Sequence, residues 1–403
     1  MPEVDVPRVT NQKSVMKSAF FSPFLVANLF AGTAPIDTES LEAGDSPPAS
    51  SGDFLNSLFS GEQRLDLNHE FLHHDDVAVN RSNLSYRQSR ENWSLEANLG
   101  FTDIGIDYTD AVGATRASER TEESWSGGLT LSLTLSESLS TTLGVTAYEG
   151  FADYQSVWIS EYYDQFIGIP FASSYEAASP RGIGFQTGLV WDDPYGLGRI
   201  STTFALSEDD IVPAWSPALS GGPSPTLIAE PTIDSLTTYS GVLTWEKALN
   251  PTLKSHLTLR YVDITARDPR IQMNNQWAWS INHDFTLRAH LGGAREGNDF
   301  EALYGGIALH YDISPQWSVS LSGRLYQDTG EIVAAGFNTA APELNSSEIS
   351  ASLAWSGRNT TIRLGVGLYE TNFDEPDENN RFFADLYADR EFVLGRLALS
   401  RTF

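Results

Sequence analysis

The chain has 403 residues and a formal net charge of -28, from 53 acidic against 25 basic side chains. So acidic a chain lacks the basic face that nucleic-acid binding needs, and nucleic acid is excluded as a partner. Cysteine is absent, which excludes disulfides, thiol catalysis, cysteine-held metals and a lipidated N-terminal cysteine.

In chain order, residues 1–15 show no apolar period. From Met16 the text reads MKSAFFSPFLVANLFAGTA. Lys17 supplies a positive start, Ala19 to Phe30 an apolar stretch, and Ala31-Gly32-Thr33-Ala34 the small residues of a cleavage site. Ser22, Pro23 and Asn28 interrupt the stretch, which is too short for a membrane helix of about 20 residues. The expectation is a signal peptide starting at Met16, with residues 1–15 a start-site extension; a buried helix or an N-terminal anchor is the alternative. Residues 35–62 are acidic and rich in Ser, Pro and Gly, which reads as a flexible lead-in rather than a domain.

From residue 63 to 403 the pattern is strand after strand. The clearest stretch is SWSGGLTLSLTLSESLSTTLGVTAY, Ser124 to Tyr148. Leu129, Leu131, Leu133 and Leu135 alternate with Thr130, Ser132 and Thr134; after a turn at Ser136–Leu139, Leu143, Val145 and Ala147 alternate with Gly144, Thr146 and Tyr148. Period-2 alternation gives a strand with two unlike faces. The polar face is too small to fill a soluble core, so it suits a water-filled interior, and the apolar face suits lipid. Mean hydropathy, at -0.24, does not oppose this, because such strands are apolar on one face only. The device recurs at Trp93–Phe101, Ile183–Trp191, Leu253–Tyr261, Trp317–Leu325 and Ile362–Leu368.

Short turns, such as Asn250-Pro251-Thr252 and Ser314-Pro315-Gln316, alternate with longer connections near 109–122, 160–180, 208–234 and 330–345. Trp93, Trp125, Trp191, Trp245, Tyr311, Trp317 and Trp355 fall near strand ends, where an aromatic girdle belongs. The chain stops at Val393-Leu394-Gly395-Arg396-Leu397-Ala398-Leu399-Ser400-Arg401-Thr402-Phe403. This resembles the last strand of bacterial outer-membrane β-barrels: Leu397 and Leu399 alternate toward a terminal aromatic, while Arg401 departs from the pattern. The resemblance implies an all-β, antiparallel transmembrane barrel with short periplasmic turns and longer outer loops. It also implies outer-membrane lipid as surroundings and the barrel-insertion machinery as a partner that reads the strand ending at Phe403. Segmentation gives about 16 strands, with 14 or 18 open, since even numbers prevail. Near the end the apolar phase moves from Phe382, Ala384 and Leu386 to Val393, Leu397 and Leu399; a bulge near Arg390 or a turn at Asp389-Arg390-Glu391 would each produce this.

The charges that alternation points inward are the candidate site. Lys254, His256, Arg260, Arg288, His290, Arg324, Arg363 and Arg396 make a basic wall in the second half. Asp66, Glu70, Glu96 and Asp153 fall on early strands beside Arg81 and Arg87. Opposed walls would set a transverse field across a pore, as charged rings do in channels; the competing reading is that neighbours pair and merely hold the wall together. Aromatics at Tyr154, Trp158, Tyr162, Tyr163, Phe166 and Trp215, and acidic runs at Glu208–Asp210 and Asp374–Glu378, read as loop surface. No G-x-S-x-G, H-E-x-x-H or phosphate loop is present, and Ser255 and His256 point to opposite faces, so no enzyme, metal or cofactor is expected. The function expected is a passive, porin-like channel for small polar solutes; the alternative is a non-conducting structural or surface-interaction barrel.

Overall fold

The computed structural model describes residues 62–403 apart from 110–116, 152–156, 158–179, 194–195, 215–231, 266–267, 298–299, 331, 336, 341 and 375–385. The expected signal peptide and nearly all of the lead-in lie outside the described residues.

The alternating segments become β1 (Glu62–His73), β2 (Val77–Ser89), β3 (Trp93–Thr109), β4 (Ala117–Ser136), β5 (Leu139–Glu149), β6 (Arg181–Asp193), β7 (Gly198–Ala214), β8 (Thr232–Asn250) and β9 (Leu253–Ile264). The second half gives β10 (Arg270–Ser280), β11 (Phe285–Glu296), β12 (Phe300–Ser314), β13 (Trp317–Asp328), β16 (Leu344–Ser356), β17 (Thr360–Phe373) and β18 (Arg390–Thr402). β14 (Ile332–Ala335) and β15 (Phe337–Ala340) form a separate hairpin between β13 and β16. The other 16 strands close into one antiparallel barrel in chain order, β1 pairing with β18. At about 4.8 Å per strand and a tilt of about 40°, such a barrel is roughly 32 Å across between backbones.

Register fixes the two faces. Leu65, Leu67 and Phe71 of β1 lie opposite Arg401, Leu399 and Gly395 of β18; Leu95 and Leu131 pair across β3 and β4, and Leu131 with Leu143 across β4 and β5. Side chains paired this way share a face. On the outer face, large apolar residues stand exposed around the whole circumference: Leu99, Leu129, Phe185, Phe204, Leu243, Met273, Leu303, Leu325, Val366 and Leu397 among them. In water this surface would be an aggregation site; in hydrocarbon it is the solvated face.

Both ends of the barrel sheet lie at one rim, here the near rim, with the connections 90–92, 137–138, 194–197, 251–252, 281–284, 315–316 and 357–359. Trp93, Trp191, Trp245, Tyr311, Trp317 and Trp355 sit within a few residues of it; Trp125 packs against Phe101 with tilted rings, centroids 4.6 Å apart, nearer the far rim. Phe403 ends there too: its N–H donates to the Gln63 carbonyl at 2.8 Å. Arg401 points outward, and its guanidinium lies 5.0 Å from the centre of the Phe403 ring. A long basic side chain at the rim reaches the headgroup layer, which accounts for its departure from the apolar pattern.

Two expectations are corrected. Long and short connections do not strictly alternate, because the far-rim connections 74–76, 265–269 and 297–299 also have few residues; at the first, the His74 N–H donates to the Val77 carbonyl at 2.8 Å. The shift of apolar phase near the C-terminus is neither a bulge nor a turn at 389–391. β18 begins at Arg390, and the connection 374–389 precedes it.

The face assignment makes a direct prediction. Leu129→Arg puts a charge into lipid near mid-membrane and should cost about 2–4 kcal/mol, whereas Ser132→Arg faces the polar interior and should fold. Unfolding in urea from lipid vesicles reads both; equal losses would mean that the faces are assigned wrongly.

Candidate functional site: the barrel interior

Register places Asp66, Glu96, Lys254, His256, Arg260, Arg288, His290, Arg324, Arg363 and Arg396 all on the inward face. Lys254, Ala278 and Arg288 occupy one row across β9, β10 and β11; His256, Gln276, His290, Gly306 and Arg324 occupy the next. Asp153 and the loop aromatics at 154, 158, 162, 163, 166 and 215 lie outside the described residues.

The basic wall is less bare than the sequence suggests, because acids are interleaved with it. Glu348 on β16 lies opposite Arg324 on β13 and forms an ion pair with it. Arg396 on β18 donates to Glu348 at 3.0 Å and to Glu70 on β1 at 2.7 Å. To reach Glu348, Arg396 must cross β17, whose inward positions there are Gly365 and Gly367; a Cβ on Gly365 would lie 3.5 Å from the Arg396 Cβ. The chain Arg324–Glu348–Arg396–Glu70 therefore bridges the seam where β18 meets β1. Arg270 pairs with Glu296 at 2.7 Å, and His256 lies 3.4 Å from Glu246. On the early strands, Asp66 takes Arg64 at 2.9 Å and Glu96 lies 3.9 Å from Arg87. Of the basic wall, Lys254 and Arg260 have no carboxylate at ion-pair distance among the described residues.

Three further features escaped the sequence reading. The run Glu208-Asp209-Asp210 is strand, not loop. Alternation sends Asp209 inward, fully buried, where it accepts hydrogen bonds from Tyr148 Oη at 2.8 Å and Ser207 Oγ at 2.9 Å, while Asp210 pairs with Arg181 at 3.1 Å. Second, toward the far rim the interior gains apolar side chains, interleaved with buried polar ones such as Asp209, Thr238, Arg270 and Arg390. Among the apolar ones, Val77, Ile104, Val262, Phe300, Phe392 and Leu394 each expose 6% or less, as do Phe151, Val157, Leu386 and Tyr387 from the far connections. Third, Arg390 ties down the turn before β18, donating to the carbonyls of Leu386 and Ala388 at 3.1 Å each.

The second feature has a signature in the text. Along β3 the outward residues Leu99 and Phe101 give way to inward Ile104 and Ile106; along β9, Leu259 and Tyr261 give way to Val262 and Ile264. The apolar set changes face with no bulge, because one strand serves lipid outside and a small apolar layer inside. The phase change along β18, from Phe392 and Leu394 to Leu397 and Leu399, has the same cause.

In the near-rim turns, His283 is fully exposed, and its pKa is raised by its hydrogen bond to Asp284 at 2.7 Å. Among the described residues no group of three or more His, Asp or Glu side chains is placed to hold a metal ion.

No family model and no curated protein matches the sequence. Solved structures do. CdiB from Acinetobacter baumannii aligns with a TM-score of 0.50 at 8% identity, over 85% of this chain and 60% of that one. The chain thus spans less than two thirds of its length. A bacterial polysaccharide outer membrane secretin aligns at 0.46 and 7% identity, over 85% and 98%; OccK7 of Pseudomonas aeruginosa aligns at 0.42 and 8%, over 85% and 99%. At these identities the likeness is one of fold: the chain has the architecture of bacterial outer-membrane β-barrels.

Glu348 is the centre of the seam network and is almost wholly buried, so its loss strips Arg324 of its carboxylate and leaves Arg396 with Glu70 alone. Glu348→Gln should destabilise the barrel by about 3–5 kcal/mol, read as a lower urea midpoint in vesicles, with Glu96→Gln on the exposed wall nearly neutral. Equal midpoints for Glu348→Gln and the parent would remove the network from any part in closure.

Proposed function

We propose that this chain is an outer-membrane channel for passive diffusion of small polar solutes, its near rim in the periplasm and its far rim outside. The observation that carries this reading is the unlike pair of faces: a continuous apolar exterior around an interior whose near-rim half is lined by Ser, Thr, Lys254, His256, Arg288 and Arg363. Sixteen-stranded barrels are wide enough for an aqueous lumen. The lipid belt, the rim tryptophans and the terminal strand ending at Phe403 support insertion into the outer membrane by the machinery that reads such strands. No reacting constellation enters this reading, which takes the chain not to be an enzyme.

One observation favours a second reading. Inward apolar side chains toward the far rim, among them Ile104, Val262, Phe300 and Phe392, are buried, and so are Phe151, Val157, Leu386 and Tyr387 of the far connections, which supports a narrowed outer mouth. A barrel that never opens there would be a structural or surface-interaction protein, its work done by the far connections. Single-channel recording in planar bilayers separates the two: discrete steps of current support the channel, and a silent bilayer with inserted protein supports the closed barrel.

For a conducting barrel, ion preference follows the inward cations that have no carboxylate at ion-pair distance among the described residues. Arg324 and Arg396 are largely neutralised by Glu348 and Glu70, so the field in the lumen is set by others, Lys254 and Arg260 first. Lys254→Gln with Arg260→Gln should move the reversal potential in a salt gradient toward cation preference. An unchanged potential in a conducting double variant would assign both cations to scaffolding.

A further inference from the structure

Just inside the far-rim apolar layer, Tyr304 of β12 and Tyr326 of β13 face each other in one register pair, both inward. Their ring centroids are 6.5 Å apart and their planes 19° from parallel. Tyr304 leans over β11, which only a glycine there permits: a Cβ on Gly292 would lie 2.4 Å from the ring. The amide of Gln272 on β10 donates to Tyr304 Oη at 2.7 Å. Gln272 is in turn the ladder partner of Arg260 on β9, whose charge lies within electrostatic reach of the same phenol. His290 completes the group, 6.5 Å from the Tyr304 ring.

Arg260 is the unusual member. Its neighbours toward either rim that carry charge and sit deep in the wall are matched, Arg270 by Glu296 and Arg324 by Glu348. Arg260 has no such acid among the described residues, and its Nε is buried without a hydrogen-bond partner. A guanidinium held this way is costly unless an anion comes to it. What stands beside it is aromatic on one side and, along β9, apolar on the other, at Val262 and Ile264.

We infer that Arg260, Gln272, Tyr304 and Tyr326 form a binding site for a small planar carboxylate, one whose charge is carried on an aromatic or similarly flat apolar frame. The carboxylate pairs with the Arg260 fork, the arrangement guanidinium favours, and the frame lies against the tyrosine faces and the edge of the apolar layer. A hydrated inorganic anion would use the arginine alone, and a neutral ring the tyrosines alone; only the combined ligand uses both. The inference deepens the channel reading by naming its solute class, and it rests on that reading only for the step of transport, not for binding.

The test is titration calorimetry on the purified full-length protein in detergent micelles with three probes: benzoate, benzamide as its uncharged analogue, and acetate as the charge without the ring. Benzoate should bind at least about tenfold more tightly than either. Arg260→Gln should abolish the preference over benzamide, and Tyr304→Leu the preference over acetate. Arg199→Gln, near the opposite rim, should leave all three unchanged, and circular dichroism checks that each variant keeps its strand signal. Should the Arg260 variant fail to fold, Gln272→Leu, which strips the hydrogen bond from Tyr304, should still weaken benzoate selectively. Equal binding of the three probes, no binding of benzoate, or an unaltered benzoate affinity in folded Arg260→Gln would each overturn the site. The readout needs no current. Arg260-dependent benzoate binding in a protein that never conducts would leave the site and remove the channel, and conduction without benzoate preference would do the reverse.

Discussion

The structure depends on the pairing of β1 with β18. A backbone N–H or C=O left unpaired in hydrocarbon costs several kcal/mol, so a sheet in a membrane must have no edge. Here that condition is met at a single seam between residues more than 300 positions apart, with Arg64 opposite Thr402 and His73 opposite Val393. Every other strand pair but one joins strands adjacent in the chain, and β13 and β16 are separated only by a hairpin. Local hairpins thus supply most of the wall, and the seam bears the loop-closure entropy of the whole. The ionic chain Arg324–Glu348–Arg396–Glu70 lies across that seam on the inner side, over the glycines Gly365 and Gly367 of β17. It is placed where pairing register has least local support.

Closing the sheet separates two environments that share the same strands, and the side chains follow the environment more faithfully than the strand. Outside, the apolar face forms a belt around the barrel that gives way toward the far rim to polar residues such as Asp103, Glu208, Asp263 and Glu370. Inside, the near half is polar and the far half carries an apolar layer. One strand such as β9 therefore needs Leu257, Leu259 and Tyr261 for lipid, Lys254, His256 and Arg260 for the lumen, and Val262 and Ile264 for the layer. The apolar layer in turn gives the far connections something to bury against: Phe151, Val157, Leu386 and Tyr387 are as buried as the strand residues around them.

How much of this the sequence disclosed depended on whether a feature is local. Strand number, faces and rim aromatics were legible, because period-2 alternation and turn residues act over a few positions. So was the inward placement of the basic residues. Their pairing was not: Glu348 meets Arg396 across 48 positions, and Glu70 meets it across 326, so the acids that tame the wall look remote in the text. The far-rim layer was misread for a different reason. Along β3 and β9 the apolar residues change face toward the far rim, to Ile104 and Ile106 and to Val262 and Ile264, and such a change reads in sequence as a loss of period rather than as an inner layer. The burial of Asp209 was hidden because three consecutive acids read as surface, although alternation sends only one of them inward.

The excess negative charge of the chain and the cations of its interior are compatible because they act through different media. Exposed acids are screened over about 8 Å at physiological salt, so those at the rims bias the mouth weakly. Charges on the inner wall act across a space bounded by protein and lipid, where the effective dielectric constant is lower and a unit charge a few ångströms away is worth several times its value in water. What governs the interior is therefore not the net charge of -28 but the few groups left without a partner once neighbouring pairs cancel. Arg324 and Arg396 share Glu348, Arg270 has Glu296, and His256 has Glu246 within reach. Lys254 and Arg260 have no such counterpart among the described residues, and they stand on one strand, six positions apart, both inward. A protein so acidic thus presents a positive stripe along the inward face of β9, from near the rim where the chain ends meet to the tyrosines beneath the apolar layer.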